Sequence, residues 1–103
     1  MNTDLTTFQA EVLKTLGHPT RVRIVELLRE GERCVCEIMA ELGLEQSNVS
    51  QHLAILKRAG LVASRKDGLR VLYWLTDPRV VEVIDLVRDM LVARARKTLA
   101  ALS

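Results

Sequence analysis

Apolar residues recur along the first third of the chain at intervals of three and four, the spacing of one face of an α-helix. Residues 4–16 carry such a stripe, and Gly17 after them fits a left-handed helix end. His18 and Pro19 open a second stripe that ends at Gly31, with the proline suited to a first helical turn. The pattern therefore predicts two helices in this part of the chain.

The next two stripes predict a short helix over residues 36–42 and a longer one that ends near Ala59. Only residues 44–46 separate them, and Ser47 is a suitable N-cap for the second helix. In that helix the apolar side chains recur at i, i+4 and i+7 and are expected to face inward: Val49, Leu53 and Leu56. Two helices joined by so short a turn are typical of a helix-turn-helix.

After the fourth helix the pattern changes to one that is typical of strands. The runs LVASRK and LRVLYWL flank Asp67-Gly68, a dipeptide that favours a tight hairpin turn. Asp77 and Pro78 then predict the start of a last helix, which runs toward the C-terminus. The predicted order is α-α-α-α-β-β-α, a mainly helical winged helix-turn-helix in one domain over residues 1–103.

Composition and charge narrow the class of protein. The chain is 49% hydrophobic, which indicates a globular domain, and its net charge is only +2. The charge is uneven, because residues 46–74 hold five basic side chains against Asp67 while residues 1–45 are net acidic. A polyanion is therefore expected at the middle of the chain. No secretory signal or membrane-length apolar run is visible, so a cytoplasmic protein without a membrane partner is predicted. No Ser-His-Asp or Cys-His arrangement of catalytic residues is present in the sequence, so an enzyme is not expected.

The start of the fourth predicted helix is polar but almost uncharged. An ordinary solvated face with a capping serine is the alternative, but such a face would be rich in Lys and Glu. In a helix-turn-helix the N-terminal residues of the second helix reach base edges, where Gln and Asn pair with adenine and Ser with either base. The candidate base-reading residues are Gln46, Ser47, Asn48, Ser50, Gln51 and His52, although a structural hydrogen bond is the favoured role for His52.

Basic residues at the end of this helix and in the hairpin are expected to neutralise phosphates of double-stranded operator DNA without reading sequence. One of the wing arginines could instead enter the minor groove. The predicted phosphate-binding residues are Lys57, Arg58, Arg65, Lys66 and Arg70.

Residues 8–95 resemble the ArsR/SmtB family of bacterial metalloregulatory repressors. The resemblance rests on HPTRVRIVELL, on QSNVSQHLAILKRAGLV, on CVC at residues 34–36 and on the DG-tipped wing. It implies a homodimer that pairs through the first and last helices, which would cover the long apolar face of residues 80–95. It also implies that the apo-protein binds an operator and is released when an inducer binds.

The inducer site that the resemblance implies is the CVC motif, with Cys34 and Cys36 as metal ligands. Thiolates select thiophilic ions. The resemblance to arsenic-responsive members of the family favours As(III) or Sb(III) as the inducer, and no permanent cofactor is expected. Those relatives have a third cysteine where Met39 stands, so either two sulfurs suffice or a small-molecule thiol completes the set. Cadmium- and lead-sensing relatives add cysteines from an N-terminal arm, which residues 1–10 lack.

Geometry sets further expectations for the two thiols. A disulfide between them is not expected, because the ring would be small and strained and cytosolic thiols stay reduced. Residues i and i+2 of a helix lie about 200° apart, so chelation is expected to require an unwound first turn. Three alternatives stay open: buried packing of the cysteines, a redox switch in which they oxidise or pair between chains, and a winged-helix module that binds protein instead of DNA.

Overall fold

The computed structural model describes residues 4–103, so residues 1–3 of the predicted domain lie outside the described part. Within that part, the structure confirms the predicted winged helix-turn-helix, and it contains one short strand that was not predicted. The elements in chain order are α1 (Leu5–Leu16), α2 (Pro19–Leu27), a 3-10 turn (Leu28–Glu30), β1 (Arg33–Cys34), α3 (Val35–Leu42), α4 (Gln46–Arg58), β2 (Val62–Asp67), β3 (Arg70–Leu75) and α5 (Arg79–Leu102).

Local side-chain signals set the starts of the first two helices. The Asp4 carboxylate accepts the Thr7 N–H at 3.0 Å at the start of α1. His18 Nδ1 accepts the Thr20 N–H at 3.1 Å at the start of α2, in which Pro19 is the first residue. The predicted left-handed conformation of Gly17 is wrong, because its φ is −80°.

The predicted N-cap at Ser47 is also wrong. Helix α4 begins one residue earlier, at Gln46, with Glu45 in the cap position and no side-chain hydrogen bond there. Ser47 therefore lies in the first turn of α4, exposed to solvent. Helix α5 begins one residue later than predicted, and the Asp77 carboxylate accepts the Arg79 N–H at 2.9 Å.

The wing is a three-stranded antiparallel sheet in the order β1-β3-β2. Strand β1 pairs Arg33 with Tyr73 and Cys34 with Leu72, so the cysteine segment is tied to the wing. The hairpin loop is Gly68-Leu69, one residue beyond the predicted turn, because Asp67 and Arg70 still pair. Gly68, with φ of 65°, occupies the first loop position, where a type II′ loop requires glycine.

The core lies between α2, α3, α4 and the first turn of α5. The predicted inward residues of α4 are fully buried there, beside apolar side chains of α2 and α3. By contrast, most of the apolar face of α5 is exposed beyond Val81. Among residues 4–103, no helix is long and apolar enough to cross a membrane.

Candidate nucleic-acid interface and thiol site

The N-terminal turns of α4 present the predicted base-reading side chains on an exposed surface. Gln46, Ser47, Asn48 and Gln51 are exposed, and Ser50 is partly buried. Val49 and Leu53 point the opposite way and are fully buried, which fixes the rotation of the helix about its axis. Core packing therefore directs the amides and hydroxyls outward, as base reading requires.

His52 is placed differently from its neighbours. Its ring packs against His18, with 4.4 Å between the ring centroids, and its Nδ1 is buried without a hydrogen-bond partner among the described residues. Burial lowers the pKa of His52, and the nearby His18 and Arg21 lower it further. The structure thus seats His52 against the start of α2, a contact that the sequence pattern did not predict.

Of the five predicted phosphate-binding cations, Lys57 connects two elements of the fold. Its Nζ donates to Ser64 Oγ at 2.8 Å and ties the end of α4 to β2. Arg58 lies exposed beside it, and the three wing cations are exposed on the hairpin. Both wing arginines contact acidic residues that flank the cysteines, Arg65 with Glu32 at 2.9 Å and Arg70 with Glu37 at 3.5 Å.

These ion pairs connect the thiol segment to the wing, and sequence reasoning missed both. The partners of each pair lie 33 residues apart in the sequence, which no local pattern reveals. Exposed pairs of this kind contribute about 0–1 kcal/mol. A DNA phosphate can therefore replace either carboxylate at small cost.

Cys34 is the N-cap of α3. Its Sγ accepts the Glu37 N–H at 3.2 Å, and the Glu37 carboxylate accepts the Cys34 N–H at 3.1 Å, which completes a reciprocal capping box. Cys34 is only 1% exposed, whereas Cys36, in the first turn of α3, is exposed. The two thiols therefore differ strongly in access to solvent.

The two sulfur atoms lie in direct contact, so the expectation that the thiols diverge is wrong, and a disulfide between them, which was not expected, is within reach. Their Cα atoms lie 5.2 Å apart, within the usual disulfide range of about 4.4–6.8 Å. Cys34 has extended backbone with φ of −77° and ψ of 155°, so the helical angle between residues i and i+2 does not apply. The sulfurs therefore converge while α3 stays intact, so a disulfide between them does not require an unwound turn.

A cavity of about 300 Å³ connects the thiol pair with both DNA-facing elements. Its walls include both cysteines and Met39 of α3. Two base-reading candidates of α4, Gln46 and Ser50, and the wing residue Arg70 line the other side. Within residues 4–103, no three His, Cys, Asp or Glu side chains cluster as metal ligands.

A second feature is the apolar surface formed by α1 and α5. Phe8, Leu13, Leu86, Met90 and Leu91 are large apolar side chains that are each more than half exposed. A cavity of about 460 Å³ between the two helices has an almost wholly apolar lining. A contiguous apolar surface of this extent is typical of a protein interface.

A helix-turn-helix with an outward polar reading face, followed by a basic wing, defines a winged-helix DNA-binding transcriptional regulator. Residues 18–64 match the sequence profile described as "Bacterial regulatory protein, arsR family". With the relatives below, this match shows that the chain belongs to the ArsR/SmtB family.

Relatives and solved structures agree with that assignment. The HTH-type transcriptional regulator Rv0081 of Mycobacterium tuberculosis is 46% identical over 84 residues, 81% of this chain and 74% of its own. Its crystal structure superposes with a TM-score of 0.82 at 40% identity and covers 95% of this chain and 99% of that one.

Two further relatives carry more specific descriptions. The HTH-type transcriptional repressor SmtB of M. tuberculosis is 45% identical over 72% of this chain and 55% of its own. The winged helix-turn-helix domain of Mb0332 from Mycobacterium bovis, described as homodimeric, has a TM-score of 0.78 at 31% identity over 87% of this chain and 86% of that one.

Proposed function

We propose that this protein is a homodimeric repressor that binds double-stranded operator DNA and is released by a thiophilic inducer at Cys34 and Cys36, with As(III) or Sb(III) favoured. The observation that carries the proposal is the shared cavity, in which the thiol pair meets Gln46 of α4 and Arg70 of the wing. A ligand at the thiols therefore acts directly beside both elements that contact DNA.

Two copies of the chain are needed to cover the apolar surface of α1 and α5. Leu86 and Met90 are 63% and 62% exposed on α5, and Phe8 is 52% exposed on α1. A two-fold pairing of these helices buries that surface and presents two α4 helices to successive major grooves, about 34 Å apart in B-DNA. The description of Mb0332 as homodimeric supports this arrangement.

The inducer acts through the cap of α3. An ion bound to Cys34 competes with the Glu37 N–H for the sulfur, and Glu37 is also the residue that contacts Arg70. Loss of this cap disturbs the start of α3 and the pairing of β1 with β3. An inducer that prefers the disturbed state shifts the population away from the one that binds DNA.

The test is a fluorescence-anisotropy titration of a promoter fragment from the protein's own gene with reduced protein, with and without arsenite. Wild-type protein is expected to bind and to be released by arsenite. The double variant Cys34→Ser, Cys36→Ser should bind equally well and ignore arsenite, and Met39→Leu in the same cavity should respond like wild type. A normal arsenite response in the double variant would contradict the thiol site, and absence of DNA binding would contradict the repressor.

A second candidate is a redox switch, favoured by the direct contact of the two sulfurs. Here oxidation of the thiols, instead of ion binding, changes DNA affinity. Mass spectrometry after mild peroxide treatment distinguishes the two candidates when it is paired with arsenite, Cd(II) and Pb(II) titrations of the same sample. A complex with DNA that weakens steeply with salt excludes the remaining alternative, a module that binds only protein.

A further inference from the structure

We propose that the cavity beside the thiol pair binds one half of a small disulfide that carries a carboxylate, and that Cys36 reacts with it first while Cys34 resolves the adduct. This inference deepens the redox candidate above and rests on it. It names a ligand class, a direction of attack and a separate role for each cysteine.

The direction of attack follows from the difference in burial. Cys36 is exposed in the first turn of α3, whereas Cys34 is 1% exposed and accepts a backbone N–H at its sulfur. An external disulfide must approach the attacking sulfur in line, and the exposed Cys36 offers that approach more readily than the buried Cys34.

The charge of the ligand follows from the lining of the cavity. Arg70 is the one charged residue among the lining residues that the structure identifies, and its side chain is about half exposed. Its contact to Glu37 is long, at 3.5 Å, so a ligand carboxylate can compete for the guanidinium. Gln46 and Ser50 add an amide and a hydroxyl that can hydrogen-bond the rest of the ligand.

The exchange proceeds in two balanced steps. The Cys36 thiolate attacks one sulfur of the external disulfide, forms a mixed disulfide and expels the other half as a thiolate, which takes up a proton. Cys34, as its thiolate, then attacks the Cys36 sulfur, forms the Cys34–Cys36 bond and expels the second half, which is also protonated. The two cysteines lose two electrons and two protons in total, and the external disulfide gains both to become two thiols.

The adduct and the final disulfide have different consequences for DNA binding. The mixed disulfide on Cys36 fills the space between α4 and the wing, beside Gln46 and Arg70. The joined Cys34–Cys36 pair leaves α3 capped and that space empty. We therefore expect the adduct to release DNA and Cys34 to restore the DNA-binding state by clearing it.

The experiment uses the full-length reduced protein, intact-mass spectrometry and three probes: oxidised glutathione, which is anionic, cystamine, which is cationic, and bis(2-hydroxyethyl) disulfide, which is neutral. Cys34→Ser, whose hydroxyl can still cap α3, is expected to accumulate one glutathione adduct on Cys36. Wild-type protein should pass through that adduct to the internal disulfide. Cys36→Ser should react at least about tenfold more slowly, because only the buried thiol remains.

A charge test examines the role of Arg70. Arg70→Gln should slow the reaction of the Cys34→Ser protein with oxidised glutathione by about threefold, and should leave the rate with the neutral disulfide unchanged. Adduct formation on Cys34 in preference to Cys36 would overturn the order of attack. Equal rates with the anionic and cationic probes, unaffected by Arg70→Gln, would overturn the ligand class.

These readouts need no DNA, so they are separable from the repressor proposal. The adducted Cys34→Ser protein is then compared with its untreated form for binding to the promoter fragment. Loss of binding on adduct formation supports the inference, and unchanged binding overturns the regulatory role of the cavity. Failure of the untreated protein to bind contradicts the repressor proposal instead.

Discussion

The apolar residues of this protein form two clusters, one buried within the chain and the other largely exposed to solvent. Beneath α4, Ile24, Ile38 and Leu53 are fully buried within one chain. On the outer helices, Leu86 and Met90 lie in an equally apolar stripe but stay more than 60% exposed. One chain therefore closes the core that positions the reading helix, and it leaves open the surface through which we propose that two reading helices are combined.

Substitutions in the two clusters are therefore expected to affect different properties, the stability of one chain and the association of two chains. The core decides which side of α4 is buried, so its substitution affects the stability of each chain by itself. The open surface decides how two chains associate, so its substitution should act through protein concentration and through the DNA sites that two chains reach together.

The largest effect is expected in the core. Leu53→Ala removes a fully buried side chain and should lower the free energy of unfolding by about 2–5 kcal/mol. Urea denaturation followed by circular dichroism measures this loss. A cost below about 1 kcal/mol would show that the site collapses around the cavity and that the core is less complete than the structure indicates.

The next effect concerns the open surface. Met90→Lys puts a charge at the centre of the proposed dimer interface and should raise the dimer dissociation constant by roughly 100-fold. Asp89→Lys introduces the same side chain one residue away, about 100° around α5 from Met90, and serves as the control. Sedimentation equilibrium checks both variants, and equal dissociation in the two would contradict an interface on this face.

A smaller pair of effects divides the polar side of α4 from the wing. Gln51→Ala should cost about 1–3 kcal/mol of discrimination between operator and unrelated DNA, because an amide that reads a base edge is lost. Lys66→Ala should instead weaken binding to all sequences alike and lower the slope of log affinity against log salt by about 1. Anisotropy titrations on the two DNAs distinguish these roles, and uniform loss in both variants would contradict their separation.

The smallest effect concerns His52, at the boundary between the core and the reading face. Burial, then His18 and Arg21, lower its pKa, so the folded protein binds this proton less readily than the unfolded chain. Stability from this group is complete above the unfolded pKa and is lost as pH falls below it. Urea midpoints between about pH 7.5 and about pH 5 should fall more in wild type than in His52→Gln, and an equal decline in both proteins would count against the assignment.

Local pattern predicted most of the fold. The i, i+4, i+7 spacing of Val49, Leu53 and Leu56 determines the inner face of α4, because helix geometry converts that spacing into one side of a cylinder. The same geometry predicts the exposed face that carries Gln51. Helix starts were less predictable, since Ser47 and Glu45 are both compatible with the cap of α4 and the structure uses Glu45 without a side-chain bond.

The thiol site could not be predicted at the same level. Cys34 lies outside α3 because two residues of β1 pair with β3, a contact across almost forty positions that no periodicity reveals. Because Cys34 has extended backbone, its side chain turns toward Cys36, whereas the helical spacing applied to both residues predicts divergent thiols. The contacts of Glu32 and Glu37 with the wing arginines are equally non-local. Residue types alone did identify the cysteines as the candidate site.

The most direct test of the account is native mass spectrometry of the reduced protein bound to a promoter fragment, before and after addition of arsenite. We expect two chains on each DNA site before addition, because the surface of α1 and α5 must be covered, and free DNA with a dimer that has bound arsenic afterwards. One chain per site, or a protein–DNA complex that keeps its mass and gains arsenic, would contradict a dimeric repressor controlled through Cys34 and Cys36.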